Sequence, residues 1–332
     1  MSSVVDNGRG DKFLMKKITV IGSINMDLVI KAERMPNPGE NLFGQSFKMI
    51  PGGKGANQAV AVSKLGEKAQ LVGKVGKDIF GEKLLKNLRK FGVNTSYVSK
   101  DDSEPTGVAL IVINKEGENS ILIAAGANGN FSPKDIETIE STIQSSDLLL
   151  LQLEIPLKTV DYAVDLSKKH KVPVILDAGP PPKSFPNFLT KVDILSPNEL
   201  EAEALTGIKI KDLKSAKAAA QKLLNIGVKK VVLKLGANGA LLATKNKIKH
   251  IKGIKVHTVD TTAAGDAFTA GLSVAYAKGE SIEEAAIFAN YVGALTVTKF
   301  GAQPSIPGIA VSYTHLRAHE TPEHLVCRLL LE

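Results

Sequence analysis

Two hydrophobic periods alternate along most of the chain. Ile18–Gly22 is a short β-rich apolar run, followed by alternating Met26–Ile30. Gly55–Leu65 predicts a helix, Leu71–Val75 a strand, and Phe80–Phe91 an amphipathic helix stopped by Gly92. Gly107–Ile113 and Ser120–Ala124 predict a hairpin around Lys115-Glu116-Gly117-Glu118. After Ser132-Pro133, where proline suits a first helical position, strands are expected at Leu148–Leu153, Val172–Leu176, Ile194–Ser196 and Val231–Lys234. Helices near 157–169, 199–206 and 212–225 separate them. Gly265–Ala277 and Ser281–Thr298 predict two long closing helices, the second with Ser281 as N-cap and Glu283 and Glu284 in its first turn. Strands separated by helices predict an α/β fold with a Rossmann-like, mostly parallel central sheet flanked by helices. The helix-free segments at about 26–50 and 104–125 predict a separate small β-sheet.

The two ends break this pattern. Residues 1–15 read as a disordered extension, with Met15 a possible start just before the first strand. From Val311 the chain loses its period and concentrates three of six histidines (His315, His319, His324), the only cysteine (Cys327) and two of five arginines. A His/Cys metal tail is one reading. The run Ser312–Thr321 instead resembles translated sequencing-adapter or vector DNA, so 311–332 is expected to be non-native or disordered.

Composition narrows the classes. Of 332 residues 43% are apolar and 23% charged, an ordinary globular balance with room for a full core. The densest apolar stretch, Leu148–Leu151 with Leu153, is far below a membrane span. Met1–Lys17 carries Asp6, Arg9, Asp11 and Lys12 and no apolar segment, so it is not a secretory signal. One cysteine excludes a disulfide framework, and a cytoplasmic location is expected. The net charge of +8 raises nucleic acid as a partner. However, only five of the 42 basic residues are arginine, tryptophan is absent, and the lysines fall at helical spacing, which argues for a solvated face. No nucleic-acid or membrane partner is expected.

In such folds ligands sit beyond the carboxyl ends of the strands. Gly22-Ser23-Ile24-Asn25-Met26-Asp27 follows the first strand and lacks the three glycines of a dinucleotide fingerprint, which disfavours a dehydrogenase. Asn25 and Asp27, two apart in an extended segment, share a face and suit sugar hydroxyls, though an Asx turn would explain them equally. Pro51-Gly52-Gly53-Lys54-Gly55-Ala56-Asn57-Gln58-Ala59 is not a P-loop, because Gly55 follows Lys54 where Ser or Thr is required. It remains a glycine-rich turn opening a helix and open to a ligand. Gln152-Leu153-Glu154 and Ser196-Pro197-Asn198-Glu199-Leu200-Glu201 put carboxylates and amides at strand ends. That pattern fits either a hydrated Mg²⁺ near phosphate or, at Asn198-Glu199, plain helix capping. Leu235-Gly236-Ala237-Asn238-Gly239 is a tight turn or a nucleotide-phosphate loop.

The strongest signal is Asp260-Thr261-Thr262-Ala263-Ala264-Gly265-Asp266 at a helix N-terminus. Its small residues leave the amides of Ala263, Ala264 and Gly265 open as an anion hole, with Asp266 beside it. The helix dipole is expected to keep Asp266 ionised, and an ordinary aspartate suffices for a proton released late in phosphoryl transfer.

Taken in order, GSINMD at 22–27, GGKGANQA at 52–59, QLE at 152–154, PNELEAE at 197–203, LGANG at 235–239, DTTAAGDAF at 260–268 and GAQPS at 301–305 resemble the ribokinase-like carbohydrate kinase family over about residues 16–307. The resemblance implies ATP-dependent phosphorylation of the ribose 5-hydroxyl, with Asp266 as base and Ala263, Ala264 and Gly265 as anion hole. Asn25, Asp27, Gly53, Lys54, Asn57, Glu154 and Asp266 would hold the sugar. Asn198 and Glu201 would order Mg²⁺ and phosphates, and Lys234, Gly236, Gly239, Gly265 and Asn290 would lie near ATP. A K⁺ site would use Asp260 and Ser305 with main-chain oxygens of Thr262, Thr296, Lys299 and Gly301. The small sheet would be a lid that also pairs two subunits in a homodimer. Lys234 stands where the family often places threonine, and the segment expected after Pro307 is replaced by the suspect tail. Another pentose such as 2-deoxyribose, or a non-catalytic sugar-binding regulator, are the alternatives.

Overall fold

A computed structural model describes residues 4–6 and 12–312, with side chains from Met15 onward. In chain order the elements begin with β1 (Val4–Asp6), β2 (Lys12–Leu14), β3 (Lys17–Ile21), β4 (Asn25–Lys31), β5 (Ser46–Gly52) and α1 (Lys54–Lys64). They continue with β6 (Lys68–Gly76), α2 (Ile79–Lys90), β7 (Asn94–Asp101), β8 (Gly107–Ile113), β9 (Asn119–Ala124), α3 (Pro133–Glu137) and α4 (Glu140–Gln144). Next come β10 (Leu148–Leu151), α5 (Leu157–Lys169), β11 (Val174–Asp177), β12 (Ile194–Ser196), α6 (Glu199–Thr206) and α7 (Leu213–Ile226). The series closes with β13 (Lys230–Lys234), β14 (Ala240–Thr244), β15 (Lys247–Ile251), α8 (Ala264–Ala277) and α9 (Ile282–Thr296).

Nine strands form the central sheet in the order β15-β14-β13-β12-β11-β10-β3-β6-β7. All pairings are parallel except the hairpins β13–β14 and β14–β15 at one edge. The reason for the middle of the sheet is visible in β10: four consecutive leucines, all inaccessible, pair with β3 on one side and β11 on the other. Such a run is stable only where both sheet faces are covered. One apolar layer packs α1, α2, α8 and α9 against the sheet, and a second packs α3 to α7 against the other face. Between α8 and α9, Gly271 faces Val292 so closely that a Cβ would lie 3.1 Å from its methyl group, which lets the two helices run side by side.

A four-stranded sheet, β5-β4-β8-β9, stands apart and continues from the end of β3. It matches the expected helix-free segments, with bounds 25–52 and 107–124. The strands β5, β7, β14 and β15 carry no clear period in the sequence, and for two of them the reason is exposure. β5 is open along most of its length, and β15 is a lysine-rich edge strand, a usual guard against edge pairing.

Both ends differ from expectation. The extension 1–15 is not without structure: Val4–Asp6 pairs antiparallel with Lys12–Leu14, as β-prone Val4-Val5 and Phe13-Leu14 allow. At the other end Ile309–Ser312 turn helically, and Ser312 is inaccessible with its N–H on the Gly308 carbonyl at 3.2 Å. His315, His319, His324 and Cys327 lie outside the described residues.

Candidate active site

The carboxyl ends of β3, β10, β11 and β13 meet the N-termini of α1 and α8. Asp266, in the first turn of α8, is nearly inaccessible. Its Oδ2 accepts from Asn57 Nδ2 at 2.9 Å and its Oδ1 from Gln58 Nε2 at 3.2 Å. Lys54 Nζ lies 3.8 Å from Asp266 Oδ1 and 3.4 Å from Asp177 Oδ1. The expectation that Asp266 has an ordinary pKa is corrected here. Burial raises it above the usual aspartate range and Asp177 adds to the rise, while Lys54, Asn57 and Gln58 oppose it.

Ala263, the N-cap of α8, is in the left-handed region at φ 60°, unusual for a residue with a Cβ. Such a turn at the start of a helix is a geometry that binds anions. The three expected amides are not equivalent, because the Ala264 N–H already donates to the Thr261 carbonyl at 3.2 Å.

The expected sugar residues divide into two groups. Asp27 and Glu154 face Asp266 closely enough for their charges to interact, Glu154 accepting from Ser23 Oγ at 2.5 Å and from the Lys54 amide at 3.1 Å. Burial raises Glu154, with Lys54 and Ser23 opposing. Gly53, at φ 88°, has no room for a Cβ, which would lie 2.7 Å from the Asn25 amide. Asn25, Lys54 and Asn57 are engaged within the protein. Asn25 Oδ1 accepts from Asn128 Nδ2 at 2.8 Å and so fastens β4. Lys54 is held well above its usual pKa by Asp177, Asp266, Glu201 and Glu154, against the burial that lowers it.

On the phosphate side Lys234 is buried and its Nζ donates to Asp177 Oδ2 at 2.7 Å, while a Cβ at Gly265, in the expected anion hole, would lie 3.9 Å from that same Nζ. Thr269 Oγ1 donates to the same oxygen at 2.8 Å. Burial alone would raise Asp177, but Lys234 and Lys54 hold it well below the carboxylate range. Asn198 and Glu201 form a capping box, each side chain bonding the other's amide at 2.8 Å. Glu201 Oε1 is turned instead toward Gly179 and Lys54. This oxygen fits a Mg²⁺ that keeps its waters and takes few protein ligands. Among the described residues no cluster of three His, Cys, Asp or Glu is arranged to hold a metal. Gly236 and Gly239 shape the β13–β14 turn, Gly239 against the Ile251 carbonyl, and Asn290 Nδ2 donates to the Lys252 carbonyl at 2.9 Å.

At the expected K⁺ site, Asp260 gathers the loops. Its Oδ1 accepts from the Thr262 amide at 2.9 Å and its Oδ2 from the Gly301 amide at 2.9 Å. The end of α9 abuts it through the Val297 carbonyl, which takes the amides of Val259 and Asp260, and the Lys299 amide donates to the Thr296 carbonyl. Ser305, however, turns its hydroxyl to the Ala302 carbonyl at 2.8 Å.

The sequence profile of the pfkB family carbohydrate kinases matches residues 15–309. The chain belongs to that family. The kinase is 41% identical over 294 residues to the ribokinase of Haemophilus influenzae, covering 89% of this chain and 96% of that one. It is 38% identical over 304 residues to the deoxyribokinase of Salmonella typhi, covering 91% and 99%. The structure of Arabidopsis thaliana ribokinase complexed with ribose and ATP superposes with a TM-score of 0.85 at 36% identity, over 92% of the kinase and 99% of that chain. Among the described residues no helix is long and apolar enough to cross a membrane.

Sequence reasoning missed Asp177, Gln58, Gln152, Gln303 and Thr269. Asp177 could have been found, since it ends a buried strand at the ligand edge of the sheet. Gln58, Gln152 and Gln303 lay inside quoted motifs but had no predicted partners.

Asp27 generates a pH prediction. Burial, then Glu154 and Asp266, raise its pKa from 3.8 to about 7. A sugar hydroxyl donating to the ionised carboxylate would lower that value again, so sugar binding releases a proton. Ribose affinity measured calorimetrically without nucleotide should therefore tighten about tenfold from about pH 6 to about pH 8. It should be flat in Asp27→Asn. A pH-independent affinity in the unaltered kinase would remove Asp27 from the sugar site.

Proposed function

We infer that the kinase transfers the γ-phosphoryl group of ATP to the 5-hydroxyl of D-ribose, giving D-ribose 5-phosphate and ADP. The observation that carries this reading is Asp266, a buried carboxylate in the first turn of α8, within an architecture shared with a ribokinase bound to ribose and ATP. The ribose O5 attacks the γ-phosphorus as the bond from that phosphorus to the ADP oxygen breaks, and the hydroxyl proton passes to Asp266. The Ala263–Gly265 turn holds negative charge on the transferring group. Asp27 and Glu154 accept sugar hydroxyls, and the Gly52-Gly53 backbone lets the sugar approach. Asn198 and Glu201 would order a Mg²⁺ through water, and that ion would neutralise phosphate charge. Asp260 and the carbonyls of Thr262, Thr296, Lys299 and Gly301 would hold K⁺.

The lid supports a homodimer. Leu110, Leu122, Met49 and Phe47 are exposed and share one face of the small sheet, an apolar surface that a second copy would cover. Sedimentation should find a dimer, and Leu122→Lys, at a position 67% exposed, should make it a monomer. A monomeric unaltered kinase overturns this pairing.

ADP release should be faster with ribose than with 2-deoxyribose, fructose or adenosine, because a site built to bond a hydroxyl rejects the analogue lacking it. Asp266→Asn should lower kcat about 10²–10⁴-fold with ribose binding nearly intact. A preference for 2-deoxyribose would change the substrate, and an active Asp266→Asn would remove the base.

Exchange of sodium for potassium should raise the rate several-fold, and Asp260→Ala should abolish that response. A rate indifferent to the cation would dismiss the site.

A further inference from the structure

We propose that two converging chains of side-chain amides, Gln152–Gln58 and Asn87–Gln303–Asn57, orient both amide donors on Asp266 and thereby position the proton acceptor of the transfer. The proposal rests on the reading of Asp266 as base. An ionised carboxylate only accepts hydrogen bonds, so the atoms of Asn57 and Gln58 that face it must be N–H groups. Each amide then turns its carbonyl oxygen into the protein, where a buried oxygen needs a donor. Both receive one. Gln303 Nε2 reaches Asn57 Oδ1 at 3.1 Å, and Asn87 Nδ2 fixes Gln303 in turn through its Oε1 at 2.6 Å. On the other side Gln152 Nε2 reaches Gln58 Oε1 at 2.6 Å.

The terminal torsion of Asn or Gln is roughly two-fold, so covalent geometry does not choose which end faces Asp266. The neighbours choose. Gln58 and Gln152 are inaccessible and Gln303 nearly so, which leaves no water to satisfy a flipped amide. Gln152 shows the cost of this arrangement, because its Oε1 is buried without a partner. It lies against Gly22, where a Cβ would stand 1.9 Å from that oxygen. An orphaned oxygen in a native fold calls for an explanation, and aiming the N–H at Gln58 supplies one. The two chains approach α1 from different sides, one from the end of β10 and one from α2 and the 301–305 loop. Gln152, Gln303 and Asn87 are thus positioning residues.

The test is the pH dependence of single-turnover phosphoryl transfer to ribose. Charged groups facing Asp266 are Lys54 on α1, Asp177 at the end of β11, Glu154 after β10 and Asp27 on β4. Gln152→Glu would claim the Gln58 N–H and turn its oxygen onto Asp266. The acid limb should move up by about one pH unit, with the rate above that limb within about threefold of the unaltered kinase. Near-isosteric Gln152→Met and Gln303→Met, one on each chain, should move it the same way by less, and they serve if Gln152→Glu does not fold. The shift should persist in an Asp27→Asn background, which excludes Asp27 as its source. Unmoved limbs in the folded variants, or a loss equal at every pH, overturn the relays. Asp266→Asn is measured alongside: activity there overturns the base itself, whereas an inactive Asp266→Asn with unmoved limbs overturns the relays alone.

Discussion

Lys54 is the cation on which the rest of the site depends, because it is shared between two buried carboxylates. Its ammonium lies 3.4 Å from Asp177 and 3.8 Å from Asp266. A carboxylate left buried without a counter-charge protonates instead. Asp177 has no exposure at all and would take Lys54 for itself if nothing else neutralised it. Lys234 does so from 2.7 Å, with Thr269 bonded to the same oxygen. The lysine that looked out of place against a phosphate is thus accounted for by charge balance. By satisfying Asp177 it leaves Lys54 with charge for Asp266, and through Asp266 for the reaction.

That balance is possible only because of where the fold places the strand and helix ends. Asp177 ends β11, Lys234 ends β13, Lys54 opens α1 and Asp266 opens α8. In a parallel sheet these ends come together at one edge whatever their distance in sequence. The leucines of β10 contribute by burying the middle of the sheet so completely that the polar groups collect at its rim. The same burial raises Asp266 and Glu154 and makes each hydrogen bond to them matter more than it would in water.

Much of this was legible in the sequence, and what was not shares one cause. The strand and helix alternation, the separate small sheet and the position of Asp266 at a helix start all follow from local pattern. Helix capping at Asn198 was legible, because its partner lies only three residues on. Lys234, Asn57 and Gln58 were not, since their partners lie 57, 209 and 208 residues away. A local reading sends such side chains toward the ligand by default, and the structure sends them toward one another. The pKa of Asp266 failed for the same reason: the dipole is local and visible, while desolvation comes from elements far along the chain.

The lid carries this logic to the sugar. β4 can hold Asn25 and Asp27 so close to its neighbours because glycines stand opposite both. A Cβ at Gly107 would lie 2.4 Å from Asn25 Oδ1, and one at Gly52 would lie 2.2 Å from Asp27 Oδ2. Asn25 is anchored by Asn128, so the strand is fixed at that point, and two residues later Asp27 is carried over the carboxylates of Glu154 and Asp266. Three acids face one another here; Lys54 acts on Glu154 and Asp266, and Asp27, on the lid side, is the one pushed to about 7. Sugar hydroxyls inserted among them would supply the donors that the protein lacks. The repulsion that disfavours ionised Asp27 then becomes a preference for a polyhydroxylated ligand.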